Sequence, residues 1–153
     1  MSSLFHIVLF EPEIPQNTGT IGRLCVSCNA KLHLIKPLGF SLDEQHLKRA
    51  GMDYWQYLDL TVYENWDEFL RKNEGLPLYF ISTHGRVTYW DTAYPEECGL
   101  VFGRESSGLP PDFYERYRDL LRLIPMPGKF HRSLNLANSV SIVLHEAMRQ
   151  HRE

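Results

Sequence analysis

The chain has 153 residues, the size of a single domain, and we treat residues 1–153 as one domain. Hydrophobic residues make up 43% and charged residues 23%, and no apolar run is long enough to span a membrane, so we expect a globular, cytoplasmic protein. The net charge of −3 argues against a generally basic nucleic-acid binder, so any contact with RNA must come from local basic clusters.

Short apolar runs alternate with helical patterns along the chain. This alternation predicts an α/β fold with a mainly parallel sheet flanked by helices on both faces. We predict strands at residues 4–10, 32–35, 60–63, 78–82, 100–102 and 121–124, and helices at residues 18–28, 43–50, 66–72, 112–117 and 136–150.

The cysteines and histidines give no clear metal or disulfide signature. Three cysteines are an odd number, and Cys25 and Cys28 form one Cys-x-x-Cys pair inside a predicted helix. We interpret them as buried structural residues, because free cysteine is among the most buried residue types. The seven histidines lack ligand spacing, so we expect no metal site.

The first polar segment follows the first strand and opens a helix. Asn17 or Thr18 is a good candidate for the helix N-cap, and Gly19 and Gly22 leave room for a ligand or another backbone. Arg23 lies on a different face from the apolar residues that follow it. A capped helix with an exposed arginine would explain the same pattern.

The second segment is Gly103-x-Glu105-x-x-Gly108. Its glycines fit a turn that exposes backbone N–H and C=O groups, and Glu105 could anchor the loop or meet a cation. It lacks the middle glycine of the dinucleotide fingerprint. The alternative is a tight turn from strand to helix.

The third segment runs through a proline-rich loop into the last helix. Ser133 is a candidate helix cap, while Asn135 and Asn138 form a polar stripe beside the apolar one. His145 lies two turns after Asn138 on nearly the same face. Since open α/β sheets bind ligands at the carboxyl ends of their strands, we expect the loops at 82–85, 103–108 and 125–133 to converge on one pocket.

In this order, the three segments resemble the three motifs of the SPOUT superfamily of RNA methyltransferases. The resemblance covers nearly the whole chain and is closest to the minimal, single-domain tRNA (cytidine/uridine-34-2′-O)-methyltransferases, which use S-adenosylmethionine to methylate the wobble ribose. The segments that carry it are Phe10-Glu-Pro-Glu-Ile-Pro-Gln-Asn-Thr-Gly, Arg23-Leu-Cys, Lys36-Pro-Leu-Gly-Phe and Ala50-Gly-Met-Asp-Tyr, together with the second and third segments.

This resemblance implies a trefoil knot near the C-terminus, a homodimer, the anticodon loop of tRNA as partner, and bound S-adenosylmethionine without a metal. Arg23 matches the catalytic arginine of the family. Relatives carry tyrosine at His145, with a suggested role near the substrate, so histidine there is a departure. By matching positions, the cofactor site would comprise Ile81, Gly103, Glu105, Gly108, Ile124, Ser133, Asn135 and Asn138, and the substrate site Asn17, Arg132 and His145.

The chemistry suggests a role for Arg23. A ribose hydroxyl is a weak nucleophile, and an arginine rarely gives up its proton. Our hypothesis is that Arg23 forks onto the ribose or an adjacent phosphate and stabilises the developing charge. Tyr54, Trp55 and Tyr57 follow Lys48-Arg49 and could stack on unpaired bases, or could instead pack on the core or across the dimer.

Three other functions remain open from the sequence. One keeps the chemistry but changes the target to another tRNA ribose or to ribosomal RNA. Another is a non-catalytic RNA-binding dimer of the same fold, against which Arg23, Glu105, Ser133 and Asn135 weigh. A Ser/His hydrolase ranks last, because the sequence has no Gly-x-Ser-x-Gly nucleophile elbow.

Overall fold

The computed structural model describes residues 3–43 and 54–152. This part contains three short 3₁₀ turns, at Trp55–Tyr57, Tyr89–Asp91 and Arg118–Leu120. Its other elements are helices and strands. In chain order these are β1 Leu4–Phe10, α1 Pro15–Cys28, β2 Lys31–Ile35, β3 Leu60–Tyr63, α2 Trp66–Lys72, β4 Leu78–Ile81, β5 Val87–Thr88, β6 Glu97–Phe102, α3 Pro111–Arg116, β7 Leu121–Leu123 and α4 Leu136–Gln150.

Seven strands of the described chain form one sheet in the order β3-β2-β1-β6-β4-β7-β5. Each neighbouring pair is parallel, which confirms the predicted parallel sheet. Because the strands are parallel, their carboxyl ends lie at one edge. Phe102 at the end of β6 is in register with Ile81 at the end of β4, and Ile81 is in register with Arg122 of β7.

Helices cover both faces of the sheet, as predicted. Ile7 and Leu9 of β1 belong to the apolar cluster that contains residues of α1 and α4. Val8 and Phe10, which point the opposite way, belong to the cluster that contains residues of α2 and α3. The near-continuous apolar sequence of β1 therefore follows from burial on both sides.

Two predicted helix caps are wrong. Helix α1 begins at Pro15 with Ile14 as its N-cap, so neither Asn17 nor Thr18 caps it. Proline suits the first helical position, because its fixed φ is already helical and its missing N–H is not needed there. Helix α4 is capped by Asn135, whose Oδ1 accepts from the N–H of Asn138 at 3.2 Å, and not by Ser133.

Most other bounds agree with the sequence patterns. The predicted bounds of β1, β3, α2 and α4 are confirmed, those of β2, β4 and β7 differ by one residue at one end, and α3 lies one residue earlier at both ends. Strand β6 starts at Glu97, three residues before the predicted start, and the two-residue strand β5 was not predicted. The helix predicted at 43–50 falls, apart from Asp43, outside the described residues. The knot stays a prediction.

The cysteines are structural, as we interpreted them. Cys25 and Cys98 are fully buried. Burial raises the pKa of each thiol to about 12, so both stay protonated near neutral pH. The Cys28 thiol is half-buried, and its pKa is also raised by burial.

Candidate active site

The main cavity among the described residues lies at the carboxyl edge of the sheet and has a volume of about 510 Å³. Its walls come from loops that follow β4, β6 and β7 and from the first turns of α1 and α4. The three loops predicted to converge do so. The lining residues are Ile14, Asn17, Ile81–His84, Phe102–Leu109, Tyr114, Leu123, Ile124, Met126, Ser133–Leu136 and Ser139.

Glu105 ties the second motif to the first. Its Oε1 accepts from the backbone N–H of Glu13 at 2.8 Å, and its Oε2 accepts from that of Ile14 at 3.0 Å. The side-chain amide of Asn17 also donates to Oε2, at 3.3 Å. Backbone N–H groups at a helix start lack acceptors within the helix. The Glu105 carboxylate therefore supplies acceptors at the start of α1 and at the same time anchors its own loop.

The same two loops are tied in the reverse direction. Glu13 accepts from the backbone N–H and the hydroxyl of Ser106, both at 2.9 Å. These hydrogen bonds from Ser106 lower the pKa of the Glu13 carboxyl. Arg104 Nε donates to Glu11 Oε1 at 2.9 Å. Three acidic side chains, those of Glu11, Glu13 and Glu105, thus join the turn after β6 to the segment that leads into α1.

The third motif joins this network through a pair of amides. Asn135 Nδ2 donates to Asn17 Oδ1 at 3.1 Å, while Asn17 Nδ2 donates to Glu105. Asn135 also caps α4 through its own Oδ1. A chain of hydrogen bonds therefore runs from the start of α4, through the start of α1, to the turn after β6.

The turn after β6 is too tight for a side chain at Gly103. A Cβ there would lie 2.3 Å from the backbone carbon of Gly108. Arg104 and Gly108 exchange backbone hydrogen bonds of 3.0 and 2.9 Å, and Gly108 has a φ of +73°. The spacing Gly103-x-Glu105-x-x-Gly108 thus places a closed turn at the cavity wall.

The cavity walls combine apolar side chains with a few polar groups. Ile81 and Ile124 lie at strand ends, and the hydroxyls of Ser133 and Ser139 belong to lining residues. The His84 ring stacks on Tyr114 with centroids 3.9 Å apart. Apolar walls with a small number of placed polar groups are typical of sites for small organic ligands, and the volume lies in their usual range.

The structure gathers most of the predicted site residues but not all of them. Four predicted site residues lie outside the cavity formed by the described chain, namely Arg23, Asn138, Arg132 and His145. Asn17, assigned to the substrate side, lies within the cavity wall. The predicted residues that line the cavity are Asn17, Ile81, Gly103, Glu105, Gly108, Ile124, Ser133 and Asn135.

Arg23 is exposed on α1 and rests against Tyr54. Its Cζ lies 4.8 Å from the centroid of the Tyr54 ring, and an Nη atom lies 3.5 Å from the Tyr54 hydroxyl. Trp55 packs against α1 next to Arg23, since a Cβ added at Gly22 would lie 3.1 Å from the Trp55 indole. One of the three predicted stacking aromatics therefore contacts the arginine itself.

Sequence reasoning missed several residues of the site. Glu13 and Arg104 hold the loops, and Tyr114 supports His84, but none was assigned a role. The opposite charges of Glu11 and Arg104 were a usable signal. No sequence signal indicated a role for Tyr114, because its position in α3 looks like that of any other helix residue.

None of the helices in residues 3–43 and 54–152 has the length and apolar character needed to cross a bilayer. These residues also contain no group of three or more His, Cys, Asp or Glu side chains placed to hold a metal ion.

The chain matches the SpoU rRNA Methylase family over residues 4–145. A relative from Methylovorus glucosotrophus (strain SIP3-4), named tRNA (cytidine(34)-2′-O)-methyltransferase, is 44% identical over 150 residues, covering 97% of this chain and 96% of that one.

Solved structures show the same similarity. One, described as giving structural insights into the 2-OH methylation of C/U34 on tRNA, superposes with a TM-score of 0.92 at 41% identity and covers 97% of this chain and 96% of that one. An AdoMet-bound rRNA methyltransferase from Sinorhizobium meliloti has a TM-score of 0.85 at 26% identity. The match covers all of this chain but only 59% of the other.

Proposed function

Since this chain belongs to the SpoU rRNA methylase family, we propose that it transfers a methyl group from S-adenosylmethionine to the 2′-oxygen of nucleotide 34 in tRNA. The observation that carries the proposal is the near full-length match to proteins named for that reaction. By contrast, the rRNA methyltransferase that the chain resembles is only 26% identical to it, which favours the tRNA target.

The cavity fits S-adenosylmethionine in size and chemistry. Ile81 and Ile124 offer apolar walls for an adenine ring, and the turn from Gly103 to Gly108 offers backbone groups. Ser133 and Ser139 add hydroxyls that suit a ribose or an amino-acid group. When bound, S-adenosylmethionine would supply an electrophilic methyl group and leave as S-adenosylhomocysteine while the 2′-hydroxyl proton passes to water, and the chain would position the acceptor oxygen.

The residues of the chain then divide the work. Glu105, Asn17 and Asn135 fix the turn after β6 and the starts of α1 and α4 relative to one another and so help to hold the cavity in one shape. Arg23 donates hydrogen bonds to the ribose oxygen or a neighbouring phosphate, stabilising negative charge as it develops. The contact with Tyr54 limits the positions that the guanidinium can take.

We also propose that the protein acts as a homodimer. Arg23 lies outside the cavity formed by the described residues of its own chain, which is consistent with a site completed by a second copy. Mixing Arg23→Ala with Asn135→Ala tests this arrangement. If each site draws on two chains, mixed dimers recover activity that neither variant has alone; no recovery would favour sites built within one chain.

Labelled S-adenosylmethionine tests the reaction. The purified protein is incubated with total tRNA from a strain that lacks ribose methylation at nucleotide 34, and the labelled nucleoside is mapped. We expect 2′-O-methylcytidine or 2′-O-methyluridine at position 34. Label on a base, at another ribose, or only in added ribosomal RNA would refute the proposed target. Calorimetric absence of S-adenosylmethionine binding would favour a non-catalytic RNA-binding protein.

A further inference from the structure

Phe130 is the most exposed large apolar side chain described, at 88% exposure. It lies in the loop after β7, where residues 127–135 are all exposed. Burying a phenylalanine is worth about 1.5–3 kcal/mol, so leaving one in water is a cost that a bound partner could remove. The site described above gives this ring no role.

The position of the loop relates Phe130 to the cavity. Met126 precedes it and Ser133 follows it, and both line the cavity. Phe130 therefore lies on a loop whose two ends line the cavity in which the methyl donor would sit. A ribose brought to that donor carries its own base and its neighbours past the same loop.

The charge around Phe130 is locally positive. Lys129 Nζ lies 5.6 Å from the ring centroid, and Arg132 is exposed two residues further along. The segment 124–135 contains no acidic residue, although the whole chain has a net charge of −3. His131 turns back and its Nδ1 contacts the Gly128 carbonyl at 2.9 Å, which shapes the loop tip.

We propose that Phe130 is a stacking platform for an unpaired base next to the target nucleotide, with Lys129 and Arg132 contacting adjacent phosphates. This inference rests on the proposed function. An aromatic ring between cations matches the surface of single-stranded RNA, which presents a base face between phosphates. Another protein surface would not require that pairing of ring and positive charge.

The test compares variants of Phe130 in binding to an anticodon stem-loop. Because stacking contributes about 1–3 kcal/mol per base, Phe130→Leu should weaken RNA binding about 5- to 100-fold, while Phe130→Trp should stay within about threefold of wild type. KM for RNA should rise with little change in kcat. Trp90→Ala removes another exposed aromatic, outside the cavity, and should leave binding unchanged.

Two further readouts separate stacking from other roles. The salt dependence of RNA binding should keep its slope in Phe130→Leu and become shallower in Lys129→Gln and Arg132→Gln, because only the latter remove phosphate contacts. A 2-aminopurine beside nucleotide 34 should lose less fluorescence on binding to Phe130→Leu than on binding to wild type.

Three results would overturn the inference while leaving the proposed function intact. They are wild-type RNA affinity in Phe130→Leu, loss of S-adenosylmethionine affinity in that variant, and a shift of its sedimentation from dimer to monomer. The second would make the ring part of the cofactor site, and the third would make it a dimer contact. If the wild-type protein methylates no tRNA, the proposed function itself fails.

Discussion

At the residue scale, the role proposed for Arg23 predicts different effects of its substitution on catalysis and on cofactor binding. Because it lies outside the cavity of its own chain, Arg23→Ala should leave the affinity for S-adenosylmethionine unchanged while lowering kcat about 10²- to 10³-fold, the usual effect of removing a donor to developing charge. Arg23→Lys keeps the charge but loses the planar fork, and should recover little. Arg116→Lys, an exposed change on α3, is the control. Near-full activity of Arg23→Lys would contradict a need for the fork.

Glu105 joins the turn after β6 to the start of α1 and, through Asn17, to the start of α4. Glu105→Gln places an NH₂ group where one of its three donors now points, and leaving that donor unsatisfied costs about 1–3 kcal/mol. We expect lower unfolding free energy in urea and weaker cofactor binding by calorimetry. Glu115→Gln, an exposed carboxylate change, should alter neither. Unchanged cofactor affinity in Glu105→Gln would show that the network does not shape the cavity.

At the element scale, the turn between β6 and α3 accepts only glycine at its first position, Gly103. A Cβ at Gly103 would overlap the backbone of Gly108, so Gly103→Ala must open the turn. We expect a loss of at least about 2 kcal/mol in unfolding free energy, the scale of overpacking. Gly128→Ala is a matched control, because its Cβ would meet nothing within 4 Å. Equal stability of the two variants would refute this explanation of the turn.

Elements with strong periodicity were predictable from the sequence, whereas their joints were not. Helix α4 and strand β1 carry uninterrupted apolar patterns, and their bounds were found. Strand β5 has two residues, too few for any pattern. The start of α1 was missed because an asparagine that suits a cap was weighed above the proline before it.

Most residues of the site could be predicted from the sequence, but the hydrogen bonds between them could not. Loops at the ends of parallel strands must meet at one edge, so their convergence followed from the predicted fold. The hydrogen bond from Asn17 to Glu105 joins positions 88 residues apart, and that from Asn135 to Asn17 joins positions 118 apart. No local pattern encodes such pairs. The sequence left open whether Glu105 anchors its loop or meets a cation, and the structure shows its carboxylate anchoring the loop.

At the scale of the whole molecule, His33 makes stability depend on pH. It is buried 2.8 Å from both the His6 ring and the Tyr63 hydroxyl. Burial, with smaller effects of His6 and Lys31, lowers its pKa from 6.5 to about 3. Between these two pH values the unfolded chain binds a proton at His33 and the folded chain does not. The contribution of neutral His33 to the unfolding free energy is therefore complete above pH 6.5 and declines as the pH falls from 6.5 towards 3.

Urea unfolding at two pH values checks this effect. Between pH 7.5 and pH 5.5 the His33 contribution to the unfolding free energy should fall by about 1 kcal/mol. His33→Gln should reduce the pH dependence by that amount, whereas His131→Gln, on the exposed loop, should not. The same pH dependence in His33→Gln and wild type would mean that His33 accepts a proton in the folded protein.

We propose that the described cavity and Arg23 together direct a methyl group to one ribose oxygen. Two synthetic anticodon stem-loops that differ only in the 2′-hydroxyl of nucleotide 34 provide the sharpest test, with methyl transfer followed by mass spectrometry. We expect a gain of one methyl group on the ribose of the hydroxyl form and none on the 2′-deoxy form. Equal methylation of both, or of neither in the presence of bound S-adenosylmethionine, would contradict it.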